Sequence, residues 1–282
     1  VKFPSIKSQL QQQVSAAMLV LKQTQTSNET IGELIEPDRI RLYQIGNFTA
    51  VCYRCAIALG LARHYRLSAM EIACQLRDAI AAQSVEFQFL VRVEASGWME
   101  FHLRDRAIAL WLEQLFVQHQ TEQFDSGEKQ EISANLFPIQ YAHSRCCSLL
   151  RLAHREGAIL LNRPQEYSPP WIWLDPISIP WLKGEDTLRF EQAVEWQPIA
   201  RFLAIADAIA AEAKTSPTQW LKLSTDLSHA LLEFERSCRI FGEVRRKTPE
   251  LAQVRLGLVA IAQFLLGWLL QQKLGIAAPV EL

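Results

Sequence analysis

The chain has 282 residues, 49% of them hydrophobic and 21% charged, enough to bury one large core or two ordinary ones. A formal net charge of −1 excludes overall basicity, so any nucleic-acid binding must come from a local patch. Six cysteines, at 52, 55, 74, 146, 147 and 238, are too sparse for a secreted disulfide scaffold, and a cytoplasmic location is expected.

Residues 7–22 repeat apolar side chains at helical spacing, and the Gln and Ser content of Val1 to Lys22 does not suit a signal peptide. The polar run QTQTSNET follows as a loop. RIRLYQI, Arg39 to Ile45, alternates like a strand, Gly46-Asn47 signals a turn, and Ala50 to Tyr65 is expected to be helical. Ser68, with Glu71 three residues on, forms a capping box ahead of a second helix, SAMEIACQLRDAI. In VEFQFLVRVEASGWMEFHL two alternating runs meet at Ser96-Gly97, which predicts a β-hairpin from Val85 to Leu103. A small α+β domain over 1–119 is therefore expected, with the polar stretch 120–131 as a linker.

From 132 to 282 the pattern is that of an all-α bundle, with helices predicted at 132–156, 188–213, 217–238 and 249–274. Pro217 and Pro249 each fall in a first turn, where a missing N–H is harmless. The fold class expected is thus mainly α: a small N-terminal α+β domain followed by a helical bundle. The longest apolar run, Leu256 to Leu270, is broken by Gln263 and shorter than the roughly 20 residues of a membrane span, so it is expected in a core and no membrane association is expected. Residues 162–185, NRPQEYSPPWIWLDPISIPWLKGE, have no sustained period. Either they form a long connection whose Trp171, Trp173 and Trp181 cover the bundle, or those indoles anchor a protein partner.

Candidate chemistry is thin. Cys52 and Cys55 form a C-x-x-C, but on an expected helix, and the adjacent Cys146 and Cys147 diverge, so no metal site is expected. No cofactor or small-molecule substrate is expected either. His143 and Ser144 point about 100° apart on a helix and cannot act as base and nucleophile. The stretch LFPIQYAHSRCCSLLRLAHREG, Leu136 to Gly157, is more informative. Its apolar stripe runs through Ile139, Ala142, Cys146, Leu149 and Ala153, leaving Tyr141 and Arg145 four apart on another edge. A phenol ring and a guanidinium so placed can stack on a base and meet a phosphate, or simply pack together on the surface.

The run IQYAHSRCCSLLR resembles the first helix of the anticodon-binding (DALR) domain of arginyl-tRNA synthetases, in which Q-Y-A-H-[AS]-R is characteristic. LSHALLEFERSCRI and PELAQVRLGLVAIAQFLLGWLLQQKLGIAAPVEL resemble the end of that domain. In the front half, Gly46-Asn47-Phe48, ALGLARHYRLSAMEIACQL and EASGWMEFHL resemble the additional N-terminal domain of the same enzymes, which in the family touches the tRNA elbow. The resemblance implies that Tyr141 and Arg145 hold an anticodon loop and that Asn47 and Phe48 approach the elbow. Arg151, Arg155, Arg236 and Arg239 would add phosphate-binding charge, and Leu282 stands where the family usually has Met.

Two departures qualify this. Glu235 replaces an aromatic of the family pattern F-Y-x-x-C-R, and a carboxylate facing phosphates opposes binding. The sequence also contains no HIGH or KMSKS signature and no glycine-rich phosphate loop, so there is nothing to stabilise an adenylate transition state. A non-catalytic tRNA-binding protein is therefore expected. The alternatives are an interaction or assembly factor that has lost RNA binding, and an accessory subunit acting in trans on a synthetase.

Overall fold

The computed structural model describes residues 3–24, 35–47, 50–83, 89–121, 136–162, 171–184, 186–211 and 214–282. The chain is mainly helical with a small antiparallel sheet, as its composition and periodicity suggest. It divides into two compact units, Ser5–Ile108 and Val1–Pro4 with Ala109–Leu282. Most of the expected linker, 122–131, lies outside the described residues.

In the first unit, α1 (Ile6–Thr24) buries Ile6, Leu10, Val14, Ala17 and Met18 along one stripe. Strands β1 (Leu42–Asn47), β2 (Ala50–Cys55), β3 (Phe89–Val93) and β4 (Met99–Leu103) form one antiparallel sheet in the order β1-β2-β4-β3. The β3–β4 hairpin turns through Gly97, whose φ of +88° suits glycine. A Cβ there would also stand 2.5 Å from that of Ala69. Residues 84–88, the start of the hairpin expected from Val85, lie outside the described residues.

One expectation is overturned here. Residues 50–65 are not one helix: Ala50–Cys55 is the inner strand β2, and only α2 (Ile57–Tyr65) is helical. The apolar run VCYRCAIALGL satisfies both periods locally. Pairing with β1 on one side and β4 on the other decides for the strand. α3 (Ala69–Ala81) begins at the predicted capping box: the Ser68 hydroxyl accepts the Glu71 N–H at 3.2 Å, and the Glu71 carboxylate accepts the Ser68 N–H at 2.8 Å. α3 packs on α1, α2 and β3. Between sheet and helices lie Tyr53, Cys55, Met99 and Phe101 from the strands, with Leu61, Ile72 and Leu76 from the helices, all buried.

A helix absent from the sequence expectations, α4 (Asp105–Thr121), leads into the second unit. There α5 (Phe137–Arg155), α6 (Trp196–Ala210) and α7 (Pro217–Ser237) surround α9 (Pro249–Trp268), with the short α8 (Glu243–Lys247) before it and a π-helical turn, Leu269–Lys273, after it. Every residue from Val254 to Leu270 of this apolar segment is buried, and Leu256, Val259, Ile261, Leu265 and Leu266 have no exposed surface. The only helix among the described residues long and apolar enough to cross a membrane is therefore used as core, its most apolar stretch 94% buried. The helix expected over 188–213 begins later, at Trp196. Before it the Glu195 carboxylate accepts the N–H groups of Glu191 and Gln192 at 2.6 and 2.7 Å, which holds that backbone in a bend, and Leu188 belongs to a strand.

The Trp/Pro segment contributes two small strand pairs, β5 (Leu160–Leu161) with β6 (Trp173–Asp175) and β7 (Leu182–Lys183) with β8 (Thr187–Leu188). Trp171, Trp173 and Trp181, expected either to cover the bundle or to anchor a partner, belong to this segment. All three are buried. Trp173 meets Phe116 edge-on at 5.0 Å, and Trp181 donates its indole N–H to Glu113 at 2.7 Å. Burial pushes the Glu113 carboxyl above its usual range despite that bond. Gly257 of α9 explains the close seat: a Cβ there would lie 2.8 Å from the Trp181 ring.

Candidate nucleic-acid interface

Helix α5 starts at Phe137 with Pro138 in its first turn. It is sunk so deeply between α9 and α7 that, from Ile139 to Leu150, only Tyr141, Arg145 and Ser148 are not buried. Because 3.6 residues make a turn, these three stand in one narrow row, and Phe137 extends it by one turn. Phe137 and Tyr141 stack on each other, ring centroids 6.1 Å apart and planes 23° apart, while both stay largely exposed. Sequence reasoning missed Phe137. Its i, i+4 spacing from Tyr141 was the available signal.

The buried residues of the same motif hold the C-terminal segment in place. Gln140 donates its amide to the Ala277 carbonyl at 3.1 Å. The His143 Nδ1 lies 2.9 Å from the Pro279 carbonyl and its Nε2 lies 2.8 Å from the Gln263 amide nitrogen. The consistent assignment is an Nδ1–H donor and an Nε2 acceptor, a neutral ring. Burial agrees with that assignment, pushing the His143 pKa down to about 4 against a modest opposing pull from the Pro279 carbonyl. Of the motif Q-Y-A-H-S-R, the Gln and His thus serve the fold, and the Tyr and Arg face outward.

Arg145 is not free. Its Nε donates to Glu235 Oε1 at 2.7 Å and its terminal nitrogen donates to the same oxygen, so the carboxylate on α7 grips it from 90 positions away. That hydrogen bond raises the Arg145 pKa further. The pair is half open to solvent, 42% for the arginine side chain and 21% for the glutamate, so its attraction is partly screened. Glu235, the departure noted in the sequence, therefore faces the arginine beside Tyr141.

The remaining arginines divide. Arg151 fastens the chain's end. Its guanidinium donates to the Val280 carbonyl at 3.2 Å, pairs with Glu281 at 2.9 Å and lies over the Trp171 ring. Arg236 is exposed and pairs with Glu233 at 2.9 Å, while Arg245 pairs with Glu156 and Lys247 with Glu243. Among the described residues, Arg155, Arg239 and Arg246 are exposed and show no ion pair. Leu282 is half exposed. Asn47 ends β1 opposite Ala50, and Phe48 lies outside the described residues. A shallow polar cleft between α6 and α7 is lined by Arg201 with Asp226 and by Arg236 with Glu233, opposite charges that leave it little net field.

An exposed aromatic stack beside an arginine held by a single carboxylate can accept a flat, anionic ligand. The chain is 26% identical over 156 residues, 55% of its length, to the arginine–tRNA ligase of Synechococcus sp. (strain JA-3-3Ab), and 28% identical over 137 residues, 48% of its length, to that of Gloeobacter violaceus (strain ATCC 29082 / PCC 7421). It is 26% identical over 156 residues to that of Moorella thermoacetica (strain ATCC 39073 / JCM 9320). These matches span 23%, 20% and 24% of the three ligases. No family model and no solved structure matches the chain. The chain thus bears a distant, partial similarity to arginine–tRNA ligases, over about half of its own length.

Proposed function

We propose that this chain is a non-catalytic tRNA-binding protein related to the tRNA-contacting parts of arginyl-tRNA synthetases, and that α5 presents the surface that meets RNA. The observation that carries the reading is the row Phe137, Tyr141 and Arg145, which α5 leaves to solvent while its Ile139–Leu150 stretch is otherwise almost wholly buried. An exposed aromatic pair costs solvation unless something covers it, and base stacking on such rings contributes about 1–3 kcal/mol per base. Arg155, Arg239 and Arg246 supply charge for phosphates. The similarity to arginine–tRNA ligases favours tRNA over other nucleic acids. Against amino-acid activation stands the sequence itself, which has neither HIGH nor KMSKS.

Fluorescence titration of deacylated tRNA at low and moderate salt tests this. Micromolar binding that weakens with salt, and weakens further in Tyr141→Ala and Phe137→Ala, is the expected result. Binding that is absent at micromolar protein, or indifferent to Tyr141→Ala combined with Arg145→Ala, overturns it. One observation favours a second reading, an assembly factor that has given up RNA: Glu235 occupies the arginine that would meet phosphate. Under that reading Glu235→Gln gains no RNA affinity.

A further inference from the structure

The outer face of the four-stranded sheet carries a donor set that neither the tRNA reading nor the similarity to ligases uses. Side chains alternate along a strand, so Cys52 and Arg54 of β2 share a face with Glu100 and His102 of β4, opposite to the buried Tyr53 and Phe101. Cys52 and His102 are direct cross-strand partners, and Glu100 lies two residues along from His102. The three side chains converge. Cys52 Sγ is 3.7 Å from His102 Nε2, His102 Nε2 is 3.1 Å from Glu100 Oε2, and the three donor atoms all lie within 4.8 Å of one another.

We infer that Cys52, Glu100 and His102 form a binding site for a borderline-soft divalent cation of the zinc class. Tetrahedral zinc, with bonds of about 2.0–2.3 Å, separates its donor atoms by roughly 3.3–3.8 Å, close to the 3.7 and 3.1 Å that separate His102 from Cys52 and from Glu100. Thiolate, imidazole and carboxylate together select zinc over magnesium or calcium, which take oxygen ligands. Charge also balances, since a thiolate and a carboxylate neutralise a divalent ion. Glu100 is oriented by its other oxygen, 3.9 Å from Arg54 Nε. Arg54 is in turn paired with Glu94 and stacked over Trp98 at 4.6 Å, so its positive charge is compensated. Arg92 on β3, across from Glu100, is exposed, and solvent screens it. Burial keeps the Cys52 sulfur dry, at 6% exposure, while His102 and Glu100 reach outward at 27% and 21%. Three protein donors leave a fourth tetrahedral position for water or an external ligand. The C-x-x-C pattern pointed to the wrong partner: Cys55 lies on the opposite, core-facing side of β2.

Cobalt(II) titration of the metal-free full chain tests the site, because tetrahedral thiolate-bound cobalt gives visible d–d bands and a near-ultraviolet charge-transfer band. One cobalt per chain with both features, displaced by zinc, is expected. Cys52→Ser should abolish the charge-transfer band, and Cys74→Ser should leave it. His102→Gln and Glu100→Gln should each weaken binding at least tenfold, with folding followed by circular dichroism. If Cys52→Ser fails to fold, the His102→Gln and Glu100→Gln affinities decide. Absence of the bands in the parent protein, their persistence in folded Cys52→Ser, or affinities unchanged in the other two variants overturns the site.

Discussion

Two arginine–glutamate pairs in the second unit use the same chemistry for different ends. Arg255 and Glu195 are 2% and 0% exposed, with Nε to Oε1 at 2.7 Å; Arg255 also donates to the Arg239 carbonyl at 2.6 Å, and Glu195 fixes the bend before α6. Arg145 and Glu235 sit on the rim of α5 and α7, half in water. Deep burial makes the first pair indispensable to its surroundings, since neither charge can be left alone in a dry core. Solvent makes the second exchangeable, because water and a competing anion can replace the carboxylate at little cost. The difference lies in dielectric surroundings, not in the side chains.

Breaking the buried pair has the largest predicted effect. Glu195→Ala should destabilise the protein by about 3–5 kcal/mol in urea unfolding, because Arg255 is left uncompensated, whereas replacing both residues with apolar groups of similar volume should recover much of that loss. A small loss from Glu195→Ala alone would erase the contrast between the two pairs.

Acid sharpens it next. His119, stacked on Phe116 and edge-on to Phe264, and His143 both have pKa values pushed down to about 4 by burial. Between pH 6.5 and 4 the unfolded chain therefore binds more protons than the folded one. Stability is fully present above about pH 6.5 and falls as the pH drops toward 4, by up to about 3 kcal/mol per histidine. His119→Phe should remove part of that slope, measured by denaturation at pH 7.5 and 4.5.

The rim pair is then probed by function. Tyr141→Ala should weaken tRNA binding by about 5- to 150-fold, the equivalent of one lost base stack. Glu235→Gln should cost no more than about 1 kcal/mol of stability while strengthening tRNA binding several-fold, with a steeper salt dependence as Arg145 becomes available to phosphate. Unfolding and titration of the same variant separate the two effects.

Much of the helical layout is legible along the chain. The Ser68/Glu71 box and Ser216 followed by Pro217 mark real helix starts, and the apolar run at 256–270 is a buried helix. The outward row on α5 was half visible: Tyr141 and Arg145 followed from spacing, Phe137 was overlooked, and the fate of Arg145 was hidden because its partner is 90 residues away. β2 was misread for the same reason, since its register with β1 and β4 is a long-range property. The indoles of the Trp/Pro segment could be weighed only once Gly257 and Glu113 were seen beside Trp181.

Periodicity, capping and composition act through neighbours a few residues away, and so the linear chain alone settles where α3, α5, α7 and α9 run and which of their faces are apolar. Which charges are spent and which are available is a matter of three-dimensional proximity and of access to water. Folding alone brings Glu235 to Arg145, Glu195 to Arg255, and His102 with Glu100 to Cys52. The physical reason is range: helix signals are local, whereas electrostatic partnership and burial depend on contacts that loop closure makes between distant segments.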